Sequence, residues 1–260
     1  MADPTQQSRF LALTTVLGPN KLVVERMTGE DSLGRPFEWK VIAGSKKDDF
    51  KVDQLVGTKA VVRLDTAAPE GPPQRFFSGI ISRIDHIGFD FQGLSQYELT
   101  MVPWLWLLTR TSDCRIFQNL TVPEIIQKVF TDFPAADFRL DLKGQYPQRE
   151  YCVQYRETDF NFVQRLLEHE GIYYFWEHKE EGHTMVICDH MSSHQPVEGF
   201  KEIYYRTDDA GIQEEFILSK WQAHHQVTPG KYAINSFDFR APKPSPNTKL
   251  LSRSDKKHAY

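Results

Sequence analysis

The spacing of hydrophobic residues changes near Pro103, and this change constrains the fold more than any other feature of the chain. Before Pro103, apolar residues alternate with polar ones, as where Phe37, Trp39 and Val41 alternate with charged residues. A period of two is typical of a strand that buries one face. After Pro103, two stretches have helical spacing instead. We therefore expect a β-rich first part followed by a part that mixes helices and strands.

The first part contains short strand-like runs in close succession. Two of them, Arg9–Leu17 and Leu22–Met27, are joined by a Gly-Pro-Asn turn and are predicted to form a hairpin. A helical turn is predicted at Val52–Val56. Many short strands in close succession favour a small antiparallel β-barrel or a sandwich. The predicted strands are Arg9–Leu17, Leu22–Met27, the run around Phe37–Val41, Ala60–Leu64, Phe76–Ile84 and Tyr97–Val102.

Two helices are predicted after Pro103. Thr121 is followed three residues later by Glu124, which is the reciprocal capping-box pattern, and Pro134 closes that helix. The second helix is capped by Thr158 and ended by Gly171. Its predicted buried stripe consists of Phe160, Val163, Leu166 and Leu167.

A hairpin is predicted directly after the second helix. Its strands are Ile172–Glu177 and Met185–Cys188, around the polar segment His178–Thr184. Strand-like runs return at Glu215–Trp221 and Tyr232–Phe239. These few strands cannot close a β-module alone, so they either complete an earlier sheet or begin a domain of a longer protein.

The charge balance excludes two classes of partner. There are 31 basic and 35 acidic residues, so the formal net charge is −4 and neither nucleic acid nor an anionic membrane is an expected partner. The longest apolar runs have five residues, far below the roughly 20 that span a bilayer. No classical signal peptide is recognised. The odd number of cysteines, 3, favours a reduced cytosolic chain.

A metal or cofactor site is not expected. Cys188–His190 with His183 and His194 could be drawn as a metal cluster, but the spacing matches no pattern with a known mechanism. The alternative is a solvated strand end. We therefore predict no metal, no cofactor and no cofactor-binding residue.

No catalytic residue is expected either. Glu168, Glu170 and Asp159 could be imagined as the acid and base of a glycoside hydrolase. Residues two apart on a helix point about 200° apart, so Glu168 and Glu170 do not face one site. Arg165 is expected to pair with Glu168 or His169 on the helix surface.

Three segments are candidates for contact with other chains. Trp104–Leu108 is the most apolar, and it is either a partner surface or, as the more expected interpretation, part of the core. The hairpin tip His178–Thr184 and the loop Thr66–Gln74 are the other two.

The run Tyr155–Phe175 closely resembles the most characteristic segment of VgrG proteins, the spikes of the bacterial type VI secretion machine. The resemblance continues in family order and spans the chain from Phe10 to about Leu251. The further matching segments are Gly29–Trp39, Phe77–Ile81, Pro103–Leu108, Cys114–Gln118 and the helix that starts at Thr121.

This resemblance implies a mainly β fold with an α+β insert, shared with the hub of contractile phage baseplates. It implies a first small antiparallel β-barrel over residues 1–104, a helix-containing insert domain over residues 105–199, and the start of a second, incomplete β-barrel over residues 200–260. The family's needle does not occur in these residues. The motif residues carried over as structural are Phe37, Gly79, Arg156, Asp159, Phe160, Arg165, Leu166, Leu167, Glu168, Gly171, Tyr173 and Phe175.

The resemblance also implies a structural role in place of an enzymatic one. It predicts a homotrimer that caps the hexameric Hcp tube, contacts baseplate proteins, and carries secreted effectors or adaptors. Such a protein is expected in the bacterial cytoplasm before firing, and outside the cell or in a target cell afterwards. The alternatives are the hub of a phage or prophage baseplate and, from another class, a peptidoglycan-active hydrolase.

Overall fold

The computed structural model of the chain describes residues 5–7, 9–46, 50–66, 74–90 and 93–196, and from there to the C-terminus residues 204–205, 217–218, 220–223, 225, 227, 231–234 and 251–254. The chain divides into two compact units. The first comprises residues 1–203 and 210–216, and the second comprises residues 204–209 and 217–260. In the described part of the chain, no helix is long and apolar enough to cross a membrane.

The first hundred residues form one antiparallel sheet. Its strand order is β1-β4-β5-β6-β3-β2, so β1 and β2 are the two edge strands. A single turn of 3-10 helix, Val52–Gln54, lies where a helical turn was predicted. The strands are β1 (Leu11–Thr15), β2 (Val23–Glu30), β3 (Glu38–Ser45), β4 (Lys59–Asp65), β5 (Gln74–Phe89) and β6 (Ser95–Val102).

The sheet is curled around its own core. The long strand β5 pairs with β4 through its first half and with β6 through its second half, and its ladder to β6 contains two bulges. Bulges bend a strand and increase its twist, so they favour a curled sheet over a flat one. The enclosed core contains Leu13, Val24, Val41, Val62 and Leu99, each at most 2% exposed.

The two edge strands approach each other through the side chain of Gln6, which is 5% exposed. Its Nε2 donates to the carbonyl of Leu13 on β1, and its Oε1 accepts from the amides of Leu13 and Val24. The predicted hairpin between the first two strands is wrong, because β1 pairs with β4 and β2 pairs with β3. The turn around Asn20 exists, but the sheet curls so that a side chain bridges the strands instead of a backbone ladder.

The rest of the first unit, as far as it is described, contains two helices, five strands and two 3-10 segments, of which the second is Met191–Ser193. Helix α1 has the capping box that was predicted from Thr121 and Glu124. A 3-10 segment, Trp104–Thr109, leads into this region. The other elements are β7 (Ser112–Phe117), α1 (Val122–Phe130), β8 (Phe138–Asp141), β9 (Cys152–Thr158), α2 (Asp159–Glu170), β10 (Tyr173–Lys179) and β11 (Gly182–Cys188).

These strands form two small sheets. In one, β11 lies between β10, to which it is antiparallel, and β8, to which it is parallel. In the other, β7 pairs with β9. A second core links the helices to the three-stranded sheet through Trp104, Phe130, Phe162 and Tyr174, each at most 1% exposed. The prediction of a mainly β fold with an α+β insert is confirmed.

The described strands of the second unit are short: β12 (Tyr204–Tyr205), β13 (Ile217–Leu218), β14 (Lys231–Ile234) and β15 (Leu251–Ser254). Strand β14 pairs with β15 in antiparallel orientation. The predicted strands Glu215–Trp221 and Tyr232–Phe239 each overlap one of these, and their other residues lie largely outside the described part of the chain. The division into domains at 104 and 199 stays a prediction.

Candidate functional site

The Tyr155–Phe175 segment is one continuous path from the end of β9 through α2 into β10. Arg156 has a φ of +52° and lies at a bulge in β9, opposite Asp113 and Cys114 on β7. Its guanidinium lies 5.1 Å from the ring centroid of Tyr155. A bulge inserts one residue that has no partner across the ladder, and it re-aims the strand that carries it. Arg156 therefore redirects β9 just before the helix begins.

Asp159, the first residue of α2, is the centre of a buried polar network. Its carboxylate accepts hydrogen bonds from Thr111 Oγ1 at 2.5 Å, from Gln154 Nε2 at 2.7 Å, and from the guanidinium of Arg115. Arg115 also contacts Asp132 at 2.7 Å. A carboxylate in the first turn of a helix is stabilised by the exposed amides there. The network thus ties the start of α2 to both strands of the β7–β9 sheet and to the end of α1.

Arg165 pairs with Glu157 in a two-point geometry. The distances are 2.6 Å from Nη2 to Oε1 and 2.9 Å from Nε to Oε2, and Nη2 also donates to the carbonyl of Val153 at 2.8 Å. The hydrogen bonds that Arg165 donates to the Glu157 carboxylate raise the pKa of Arg165 above its ordinary value. The predicted surface pair of Arg165 with Glu168 or His169 is wrong, because the bulge in β9 brings Glu157 beneath the helix.

The loop between β2 and β3 binds directly to the Tyr155–Phe175 segment and its continuation. The amide of Gly34 donates to the carbonyl of Tyr174 at 2.7 Å, and Gln164 Nε2 donates to the carbonyl of Gly34 at 3.1 Å. Trp176 Nε1 donates to the carbonyl of Arg35 at 3.2 Å. Two segments distant in sequence therefore meet at one place. We define the junction as Gly34, Arg35, Phe37, Gln164, Tyr174 and Trp176.

Phe37 is the apolar centre of the junction and is 1% exposed. Its ring meets Trp176 edge-on at 5.4 Å between centroids, and it lies 4.9 Å from His178 and 5.3 Å from His183. Aromatic pairs in such geometry contribute about 0.5–1.5 kcal/mol beyond their buried area. Phe37, which directly precedes β3, thus packs into the aromatic cluster of the β10–β11 hairpin.

Gly79 on β5 permits this close approach. A Cβ atom added there would lie 3.1 Å from the carbonyl oxygen of Val102, 3.2 Å from Met101 Cβ and 3.4 Å from Phe37 Cε2. These distances are tighter than ordinary van der Waals contact. Glycine at this position is therefore explained by space and not by backbone conformation.

The motif residues on α2 have a mainly packing role. Leu166 and Leu167 are each 1% exposed, and Phe160 is half-buried against the same core. The predicted stripe missed Phe162, which is fully buried. Gly171 has a φ of +72° and ends the helix in the left-handed conformation, as expected for a C-terminal glycine.

The remaining motif residues lie apart from this core. Tyr173 donates its hydroxyl proton to the carbonyl of His190 at 3.1 Å, and Phe175 packs its ring 4.7 Å from that of His194. Glu168 is exposed at the end of α2. The motif residues therefore do not converge on one pocket.

The three carboxylates that could have served a hydrolase have separate partners. Asp159 is bound within its network, Glu168 accepts from Gln164 at 2.9 Å, and Glu170 accepts from Arg149 at 2.5 Å. A glycosidase needs two carboxylates that face one bond. The structure does not bring these residues together in that way.

The histidines considered for a metal cluster are likewise separated. His183 is buried and accepts from the amide of Trp104, while His190 lies 3.4 Å from Asp141. His194 contacts the Tyr173 hydroxyl at 3.0 Å. Among the residues that the structure describes, no group of His, Cys, Asp or Glu has the geometry to hold a metal ion.

The structure shows which of the three predicted contact segments are exposed. Within the hairpin tip His178–Thr184, only Glu180 and Glu181 form the turn, while His178 and His183 face the first sheet. The prediction of an exposed tip is therefore wrong for these two histidines, whereas Lys179, Glu180 and Glu181 are exposed as predicted. Trp104–Leu108 contributes to the insert core. Residues 67–73 of the loop Thr66–Gln74 lie outside the described residues.

An exposed apolar strip on the β7–β9 sheet was not predicted. Ile116 is 60% exposed and Tyr155 is 64% exposed, and the cross-strand pairs Ile116–Val153 and Cys114–Tyr155 point to the same face. Tyr151 lies just before β9 and is also exposed. The alternation of apolar and polar residues could have indicated that these strands have one apolar face. The sequence does not show that β7 pairs with β9, so the exposed strip could not be predicted.

Comparisons with known proteins assign this arrangement to a recognised group. Residues 30–260 match the family model described as phage tail baseplate hub (GPD). The type VI secretion system spike protein VgrG1a of Pseudomonas aeruginosa is 39% identical over 237 residues, which are 91% of this chain and 36% of that protein. VgrG1c of the same organism is 38% identical over 98% of this chain and 34% of its own length. The chain thus spans about a third of these relatives.

Solved structures show the same fold. An E. coli protein described as a component of the type VI secretion system, with structural similarity to T4 bacteriophage tail proteins gp27 and gp5, has a TM-score of 0.62 at 26% identity. The match covers 71% of this chain and 50% of that one. One chain of a Francisella PdpA–VgrG complex has a TM-score of 0.52 at 11% identity, over 76% of this chain and 34% of the other, and shows the fold alone.

Proposed function

Because the chain belongs to the phage tail baseplate hub family, we propose that it is the hub-forming part of a type VI secretion spike. Its relatives are spike and baseplate hub proteins, which are structural components. The observation that carries the proposal is the continuous similarity to VgrG proteins, which extends through the first sheet and the insert alike. The junction between these two regions supports a rigid structural role.

In this proposal three copies of the protein form a ring that caps the Hcp tube. The spike is loaded in the cytoplasm, is ejected with the tube without a signal peptide, and reaches the outside of the cell or a target cell. The two edge strands of the first sheet support such a ring, because edges that pair between neighbouring chains satisfy backbone groups that would otherwise be open to uncontrolled pairing. The three predicted domains, at residues 1–104, 105–199 and 200–260, belong to the same proposal.

The proposed partners extend beyond Hcp to baseplate proteins and to secreted effectors or adaptors. The Francisella structure of similar fold is a complex of PdpA with VgrG, and we propose by analogy that the spike containing this chain also binds other proteins. The motif residues from Phe37 to Phe175 are proposed to be structural. In this proposal Phe37 and Gly79 pack the insert against the first sheet, and the motif residues of the β9–α2–β10 path keep the insert in a fixed shape.

The test uses the full-length protein that contains this chain. Its mass in solution is measured by light scattering, and its binding to preassembled Hcp rings is measured by co-sedimentation. We expect a trimer that sediments with the rings. A double variant, Arg156→Ala with Asp159→Ala, weakens the β9–α2 connection. We expect it to bind Hcp rings less than the natural protein does. A folded full-length protein that is strictly monomeric and does not bind Hcp rings would contradict the proposal.

A second candidate is the hub of a phage or prophage baseplate. The family model, which is named for phage tails, favours this alternative. The two functions differ in their genomic surroundings, since one gene would lie among secretion genes and the other among tail genes. The neighbouring genes therefore decide between them.

A further inference from the structure

Two histidines of the β10–β11 hairpin face each other where the hairpin meets the first sheet. His178 and His183 are directly opposite in the ladder, and their ring centroids are 6.2 Å apart. The rings of Trp39 and Phe77 lie within 6.4 Å of His178, and Trp176 lies 5.4 Å from His183. Aromatic side chains thus surround both imidazoles, and His183 is buried while His178 is half-buried.

Each ring accepts a hydrogen bond from a backbone amide outside the hairpin. The amide of Ser78 on β5 donates to Nδ1 of His178 at 3.2 Å, and the amide of Trp104 donates to Nε2 of His183 at 3.0 Å. An acceptor nitrogen is available only in neutral imidazole, because both nitrogens of imidazolium are donors. Protonation of either ring would therefore set two donors against each other at a buried contact.

The charged groups around the two rings also oppose protonation. The positive charge of Lys59 on β4 disfavours a charged His183, and the positive charge of Arg75 on β5 disfavours a charged His178. The acidic side chains of the surrounding elements have other partners, as Glu177 pairs with Arg139 and Asp137 accepts from Thr184.

At the turn of the hairpin, Glu180 and Glu181 are exposed, so water screens their charge.

Burial, followed by the charge of Arg75, lowers the pKa of His178 to about 4. Burial, followed by the charges of His178 and Lys59, lowers the pKa of His183 to about 3.

We propose that His178 and His183 form an acid-sensitive latch, which holds the β10–β11 hairpin on the first sheet while both rings are neutral and releases it in acidic surroundings. The latch is a conformational device of the fold, and it does not depend on the proposed role in secretion. The hairpin is expected to separate from the first sheet at the contacts with Ser78 and Trp104, because the amides of these residues lose their acceptors when the rings are protonated.

The direction of the pH dependence follows from the lowered pKa values. Above about pH 6.5, the rings are neutral whether the hairpin is bound or released, so the latch contributes fully. As the pH falls below 6.5, only the released rings take up protons, and the bound state is progressively disfavoured. At pH 5, each histidine favours release by a factor on the order of 30, and the two together by on the order of 1,000.

The first experiment follows the unmodified 260-residue chain by NMR between pH 7.5 and 4.5. The ring resonances of both histidines and the amide resonances of Ser78 and Trp104 are recorded together. We expect the Ser78 and Trp104 amides to lose protection from exchange at the same pH at which the rings become charged. If the rings titrate near pH 6.5 while these amides stay protected, the latch does not exist. Simultaneous loss of protection throughout α1 and α2 would indicate global unfolding, and it would also overturn the proposal.

The second experiment compares variants by urea unfolding at pH 7.5 and pH 5. A double His178→Gln, His183→Gln variant keeps an acceptor at each position but cannot be protonated. We expect the folding equilibrium constant of the natural chain to fall more between these pH values than that of the variant, by a factor on the order of 100 to 1,000. His169→Gln, at an exposed position on α2, is the matched control and should behave as the natural chain. Parallel pH profiles for the natural chain and the double variant would refute the latch. If the double variant does not fold, the NMR titration decides alone.

Discussion

Replacing Asp159 by alanine should destabilise the insert more than any change at the exposed acidic residues around it. Asp159 has a side chain that is 7% exposed, and its carboxylate is the shared acceptor for Thr111, Gln154 and Arg115. The Asp159→Ala change removes that acceptor and leaves the buried amide of Gln154 without its main partner. It also removes the most buried counter-charge of Arg115.

The expected magnitude follows from burial and from the partners that remain. Breaking a buried ion pair by removing one member costs about 3–5 kcal/mol. The Arg115 side chain is 20% exposed and keeps Asp132 at 2.7 Å, so its charge is not stranded. We therefore expect a loss near the lower end, about 3 kcal/mol. Asp159→Asn keeps the shape and one acceptor oxygen, and should cost about 1–2 kcal/mol.

Asp132 provides the matched control, because it pairs with the same guanidinium but is 60% exposed. An exposed ion pair contributes about 1 kcal/mol or less, so Asp132→Ala should have a small effect. The assay is urea unfolding at pH 7 and 25 °C, followed by circular dichroism of the helices and by tryptophan fluorescence. The free energy of unfolding is compared for the natural chain and the three variants.

Equal losses for Asp159→Ala and Asp132→Ala would refute this reasoning. They would show that the buried network contributes no more than a surface ion pair. A loss below about 1 kcal/mol for Asp159→Ala would have the same meaning, because the burial argument requires the larger cost.

Three further changes test other parts of the structure. Gln6→Ala should cost about 2 kcal/mol, because it leaves buried groups of Leu13 and Val24 without a partner, and amide exchange at these two residues should accelerate. Unchanged exchange would show that Gln6 does not bridge the edge strands. Gly79→Ala should cost about 1–3 kcal/mol by thermal or urea unfolding, since the added methyl group is crowded by three neighbours; a neutral effect would mean that β5 can shift to make room. Thr158→Ala should cost about 1 kcal/mol in the same assay, because the side chain caps α2 through the amide of its third residue. The conservative change to Ser should restore most of that loss, and failure to do so would argue against capping.

The helices illustrate what local sequence signals can predict. The capping box at Thr121 and the span from Thr158 to Gly171 are where the pattern placed them. Each capping residue lies within a few residues of the backbone groups with which it forms hydrogen bonds, so capping requires no partner that is distant in sequence. The buried stripe of α2 was less accurate, because Phe162 is buried by a ring stacked on it from β7, and that strand is distant in sequence.

The contact partners of individual side chains could be identified only from the three-dimensional structure. Arg165 was expected to pair along its own helix, but the bulge at Arg156 brings Glu157 within reach of it. His178 and His183 look like polar residues of an exposed hairpin tip in the sequence. Only the packing of the hairpin on the first sheet buries them among aromatic rings.

Residue patterns alone were enough to predict strands with a period of two before Pro103, capped helices after it, and a charge balance that gives no electrostatic reason to bind nucleic acid. These properties depend on near neighbours and on composition. Only the folded chain shows that the first two strands lie at opposite edges of the sheet, that Gln6 bridges them, and that the amide of Gly34 bonds the carbonyl of Tyr174. These contacts join residues far apart in sequence, and their free energy exists only once the sheet has curled and the insert has packed against it.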